Sequence, residues 1–115
     1  MSDRKTLLYL TDILEAIRKI ETFVVGVTFE AFSQDAKTID AVVHNIEVIG
    51  EAARHIPEQL RLAYPAVPWK QVVGSRDKMI HEYFGIDLEV IWQTINDDLP
   101  VLKQEVKAII SKQLS

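Results

Sequence analysis

Apolar residues recur along this chain at steps of three and four, the spacing of one buried helix face. Leu7, Leu10, Leu14, Ile17, Ile20 and Val24 predict an amphipathic helix over 3–25, with Gly26 placed to stop it. Residues 27–34, VTFEAFSQ, show no sustained period. Asp35 can cap a second helix running to about Ile56, where Pro57 interrupts it. A short helical turn, EQLRLAY, follows, and two prolines in PAVP break the chain again. Pro68 suits a first helical position, which predicts a third long helix from Trp69 to about Phe84, ended by Gly85. Asp87 can cap a last helix that buries Leu88, Ile91, Ile95, Leu99, Leu102, Val106 and Ile109, with a kink at Pro100. No segment alternates like a half-buried strand. The pattern predicts an all-α chain: an antiparallel bundle of four main helices plus short helical turns, in a single domain over 1–115 without internal repeat or linker.

Helix three carries residues that do not suit its face. With Val72 at 0°, Trp69, Val73, Met79 and Ile80 fall between about −20° and 100°, an apolar arc, at about 100° per residue. Arg76 and Tyr83 fall inside that arc, near 40° and 20°, while His81 lies near 180°. An unpaired guanidinium is costly to bury, so this face must meet a carboxylate, a wet cleft or a second subunit. A structural ion pair with a packed aliphatic stem would also account for it.

The second helix offers a counter-charge. Its main apolar arc is Ile39, Val42, Val43, Ile46, Gly50 and Ala53, and Ala41, Val48 and Ala52 form a smaller one. Between them runs a polar stripe of Asp40, His44, Glu47 and Glu51, at i, i+4, i+7 and i+11. Either glutamate could reach Arg76 if helices two and three pack side by side. Such a stripe is more often simply solvated. A di-metal carboxylate bundle needs Glu-x-x-His on each of two helices; here His44 precedes Glu47 and no second set exists, so no metal is expected. His55, beside the Ile56-Pro57 break, is expected at the surface.

Composition narrows the setting. Hydrophobic residues make up 48% of the 115, with 4 Gly and 4 Pro, as befits a compact fold rather than a disordered one. The chain has no cysteine, which suits a reducing cytoplasm and rules out thiolate chemistry. It shows neither the apolar core of a signal peptide nor a membrane-spanning run. A net charge of −4 does not suit non-specific coating of nucleic acid, so any contact with it must be local.

Glycine-rich phosphate loops, GxSxG and HExxH are all absent. There remain a histidine able to move protons near neutral pH, a permanent cation five residues before it and a phenol two residues after it. These suit metal-free phosphodiester chemistry: histidine can serve a ribose 2′-OH or the leaving oxygen, and arginine can hold charge developing on phosphorus. On a straight helix Arg76 and His81 point about 140° apart, so a distortion before His81 or a two-fold dimer is needed to converge them.

The segment Arg76-DKMI-His81-E-Tyr83 resembles the Arg-x4-His-x-Tyr signature of the HEPN superfamily, in its HepT-like toxin branch. The likeness extends through YLTDI (9–13), AVVHNIEVIGEAA (41–53), YPAVPW (64–69), residues 76–87 and Val90 to Trp92, nearly the whole chain. It implies a helical, homodimeric, metal-independent RNA endonuclease with no cofactor. This would be the toxin of a type VII-like prokaryotic toxin–antitoxin pair, its cleft at the dimer interface. Carried across, Arg76 and His81 are the catalytic pair, with Asp77 and Tyr83 completing the motif; Glu47 and Glu51, singled out by helical spacing, are the expected supports for Arg76. The resemblance also implies a minimal nucleotidyltransferase antitoxin that transfers AMP from ATP to Tyr83. Ser75 departs from the apolar residue common at that position and leaves the motif's chemical groups intact. A non-catalytic nucleotide- or protein-binding module and a purely structural dimer are the competing readings.

Overall fold

The computed structural model describes residues 4–74 and 87–114, and among these every regular element is helical. Helix α1 spans Arg4–Val24 and buries Thr6, Leu10, Ile13, Ala16, Ile17 and Ile20. Leu7 and Leu14, expected inside, are half-buried at the edge of this face. The stop falls where the sequence placed it: Gly26 takes φ +71°, a conformation glycine adopts without a Cβ clash, and Val27 N–H returns to Val24 C=O at 2.9 Å.

The first departure follows at once. Residues 27–34 have no readable period, yet Phe29–Ser33 form a short helix, α2. Five residues complete little more than one turn, too few for a period to show. Two local devices fix it instead: Thr28 Oγ1 accepts the Ala31 amide at 3.1 Å, and Phe32 is fully buried.

Helix α3 runs Ala36–Arg54. Asp35 caps it as expected, accepting the Thr38 amide at 3.1 Å and the Thr38 hydroxyl at 2.6 Å. The helix ends two residues short of Ile56, whose fully buried side chain turns the chain inward before Pro57. Helix α4, Glu58–Ala63, buries none of its residues. The YPAVPW stretch then folds back on itself, with Trp69 Nε1–H donating to Tyr64 C=O at 3.0 Å and Trp69 N–H to Val67 C=O at 2.8 Å. Residues 69–74 begin α5; the remainder of the expected third long helix, with Gly85, lies outside the described residues.

Asp87 caps α6, Leu88–Gln93, by accepting the Glu89 amide at 2.9 Å. A π-helical turn, Thr94–Asp98, leads directly into α7, Leu99–Leu114. A kink at Pro100 is the expectation, and the structure gives its physical form. Proline has no N–H and its ring crowds the carbonyl four residues earlier. The preceding turn widens, so that Leu99 N–H bonds Thr94 C=O, five residues back.

Helix α1 packs against both α3 and α7, and α2 packs against α3. Ile17, Ile20, Val42, Ile46, Leu102, Val106 and Ile109 belong to one shared apolar core. Lys103, near the start of α7, reaches Glu21, near the end of α1, at 3.0 Å, as antiparallel packing of these helices requires. No helix among the described residues is long and apolar enough to cross a membrane.

Candidate functional site

Arg76, Asp77, His81 and Tyr83 lie outside the described residues. The structure does show what flanks that segment. On its N-terminal side Trp69 is 7% exposed and tied through its indole to Tyr64. On its C-terminal side Ile91 is fully buried, and Trp92 packs on Phe32 and Phe29 at centroid distances of 5.0 and 6.0 Å. An aromatic anchor therefore stands on each side of the segment. The α2 helix, which no period announced, supplies half of the second anchor.

The two glutamates expected to support Arg76, Glu47 and Glu51, lie among the described residues. Along α3 the polar stripe divides: Asp40 and His44 are exposed, whereas Glu47 and Glu51 are half-buried. The glutamates line an open cleft of about 300 Å³ between α1 and α3, together with Tyr9, Asp12, His44 and Val48. Glu51 Oε2 accepts from Arg54 Nη2 at 2.9 Å and lies 3.1 Å from His55 Nε2. His55 in turn stacks on Tyr9, with ring centroids 4.6 Å apart and planes 10° from parallel. His55 is at the surface as expected, but this chain of contacts holds it in place. The cleft can therefore hold a cation against carboxylates, and its wall includes an aromatic face.

Tyr9 and Asp12 are not among the residues singled out for chemistry on the sequence, although both lie in YLTDI. The signal that could have found them is their spacing on α1. Residues 9 and 12 sit one turn apart, facing the same side as the half-buried end of the α3 stripe. Asn45 is a second surprise, a buried polar residue beside the smaller apolar arc of Ala41, Val48 and Ala52. Its Nδ2 donates to Ala41 C=O at 2.8 Å, which satisfies it within its own helix.

A second depression, of about 610 Å³, adjoins this cleft and shares His44 with it. Arg18, Lys19, Thr22 and Phe23 of α1 face Asp40 and Asn45 of α3 across it. Arg18 also clasps Glu15 through two hydrogen bonds of 2.7 and 2.9 Å, which hold the Glu15 carboxyl below its ordinary pKa and raise that of the guanidinium. On the opposite side of α3, a cavity of about 450 Å³ is bounded by Ile46, Ile49, Val72, Leu99, Leu102 and Asp98. Partial burial and the neighbouring Asp97 raise the Asp98 pKa.

Comparison with known proteins gives concordant results. The family model described as ribonuclease HepT-like matches residues 13–109. A protein of Thermococcus cleftensis named "Probable ribonuclease HepT" is 46% identical over 95 residues, covering 83% of this chain and 86% of its own. A protein of Caldanaerobacter subterraneus named as a candidate RNase is 41% identical over 105 residues, 91% of this chain and 94% of its own. Another candidate RNase, from Methanocaldococcus jannaschii, is 40% identical over 110 residues, 96% of this chain and 91% of its own. No solved structure matches.

Proposed function

Because this chain belongs to the HepT-like ribonuclease family of the HEPN superfamily, we propose that it is a metal-independent RNA endonuclease. Arg76 and His81 are its catalytic pair. It acts in the cytoplasm as a homodimer and is the toxin partner of a minimal nucleotidyltransferase. The observation that carries this reading is the family match over residues 13–109, which contains the whole Arg76-x4-His81-x-Tyr83 motif.

RNA brings its own nucleophile, so the protein needs only to move protons and hold charge. His81 takes the proton from a ribose 2′-OH as that oxygen attacks the adjacent phosphorus. The bond to the 5′-oxygen breaks, that oxygen receives a proton, and a 2′,3′-cyclic phosphate remains. Arg76 stabilises the extra negative charge on the phosphoryl oxygens as the new bond forms. Since the two side chains diverge on a straight helix, two copies of the motif facing each other across a two-fold axis would complete the site. Glu47 and Glu51, half-buried on α3, are the carboxylates that would hold Arg76 in place, and Asp77 adds a polar group to the motif.

Tyr83 is the control point in this reading. Its phenol oxygen attacks the α-phosphorus of ATP on the antitoxin, pyrophosphate leaves, and the phenol proton passes to solvent. The attached AMP sets bulk and negative charge beside Arg76 and excludes the RNA phosphate.

The test is cleavage of mixed cellular RNA in EDTA by wild type, by His81→Ala, and by wild type treated with the nucleotidyltransferase and ATP. Loss of general acid–base catalysis should lower the rate about 10²- to 10⁴-fold in His81→Ala. The treated protein should gain whole AMP units by mass, on Tyr83, and lose activity. Equal cleavage by wild type and His81→Ala would refute the catalytic assignment.

A further inference from the structure

We infer that the depression between α1 and α3 at Arg18, Lys19, Phe23 and His44 is a subsite for single-stranded RNA, separate from the motif that cuts it. The identity of the ligand rests on the ribonuclease reading above; the site itself rests on what the structure places together.

Helical spacing sets two rows on α1. Arg18 stands one turn before Thr22, and Lys19 one turn before Phe23. Each row thus pairs a cation with a second group on the same face, and Phe23 keeps 38% of its surface exposed beside them. Across the depression, Ala41 of α3 offers only a methyl group, which leaves room between the helices, and the exposed His44 stands at the junction with the neighbouring cleft. Cations that track a backbone, next to an aromatic face on which a base can lie, are the combination that binds single strands without strict sequence preference.

The rest of the surface gives the strand a direction. The adjoining cleft carries Asp12, Glu47 and Glu51, and Asp40 stands on the α3 wall of the depression itself; all four repel phosphates. A backbone crossing this face therefore keeps its phosphates toward Arg18 and Lys19. The Arg18–Glu15 pair does not obstruct this: it lies in solvent, with side chains 61% and 51% exposed, where an ion pair exchanges readily for a phosphate. The α1 wall of the depression also gives a chain of net charge −4 a local means of engaging RNA, since it sets two cations, Arg18 and Lys19, against the single carboxylate of Asp40 on the α3 wall.

The experiment uses a short fluorescent single-stranded RNA made uncleavable by 2′-O-methylation, with binding read by anisotropy across a salt series. The variants are Arg18→Gln/Lys19→Gln, Phe23→Ala and, as a control for simple loss of charge, Lys107→Gln on the exposed side of α7. The double variant should flatten the dependence of log affinity on log salt by about 1.4, the sum for two phosphate contacts to a single strand. Phe23→Ala should weaken binding about 5- to 150-fold, the measured range for one stacked base. Lys107→Gln should match wild type. The subsite is refuted if wild type does not bind, if the double variant keeps the wild-type slope, or if Lys107→Gln flattens it equally. Cleavage of the unmodified RNA is scored separately. Binding that depends on the depression without cleavage would overturn the ribonuclease reading alone, and cleavage with binding indifferent to the depression would overturn the subsite alone.

Discussion

Replacing Phe32 by Ala tests whether α2 anchors the segment that carries the motif. Phe32 is fully buried and lies 5.0 Å from the Trp92 ring, at 38° between planes. Truncation removes roughly 150 Å² of buried apolar surface, worth about 4 kcal/mol at ~25 cal/mol per Å². The aromatic pair adds ~0.5–1.5 kcal/mol. Partial collapse of a five-residue helix into the space offsets some of this loss, so the expected destabilisation is about 3–5 kcal/mol, the range found for buried Phe→Ala. At about 4 °C per kcal/mol for a chain of this size, the melting temperature should fall by roughly 12–20 °C. Urea unfolding followed by tryptophan emission measures it, with an unchanged slope showing that the unfolded state is the same. Phe32→Leu should lose much less. In conditions where Phe32→Ala is still folded, RNA cleavage should already be impaired, because the C-terminal anchor of the motif segment is loose. A loss below about 1 kcal/mol with full cleavage would show that α2 is not an anchor.

Two further predictions concern helix ends. The Thr38 hydroxyl and amide hold the Asp35 carboxyl below its ordinary pKa. Its contribution to stability is therefore full above the unfolded carboxylate value and lost as pH falls through the folded one. Asp35→Ala should melt below wild type at neutral pH and converge with it in acid; a gap that persists at pH ~2, below the ordinary aspartate value of ~3.9, would contradict the cap. Pro100→Ala restores a backbone donor behind the widened turn, so Thr94–Asp98 should tighten to α-helix, with a gain of at most ~3 kcal/mol. Amide-resolved spectra that still show Leu99 N–H bonded to Thr94 C=O in the variant would mean that the proline is not the cause of the π turn.

Where the chain announces an element by period or by a cap, the structure agrees closely. Helix α1 lies within a residue of its expected bounds, and Asp35 and Asp87 cap the helices they were expected to cap. Both signals act within a turn or two of backbone, so sequence alone carries them. Helix α2 is held by Phe32 meeting Trp92, sixty positions later, and no local window contains that contact. The same holds for the cleft. The stripe on α3 was visible, but its division into exposed Asp40 and His44 and half-buried Glu47 and Glu51 depends on where α1 lies across it. Tyr9 and His55 could be recognised as a stack only once the two helices were side by side. Arg76 stood out for the opposite reason, because it falls inside the apolar arc of the helix expected there.

The pairing of α1 with α7 also sets a timetable. Glu21 waits for Lys103, 82 residues further along the chain. At about 5–20 residues per second, a ribosome needs roughly 4–16 s to cover that interval. Once Arg54 has been added the nascent chain can dock α1 on α3, but the part of α1 that α7 covers stays open to water or to a chaperone until α7 follows. A fold in which α1 is covered by α7 is thus assembled late, and a chain released before α7 emerges would carry an uncovered apolar face.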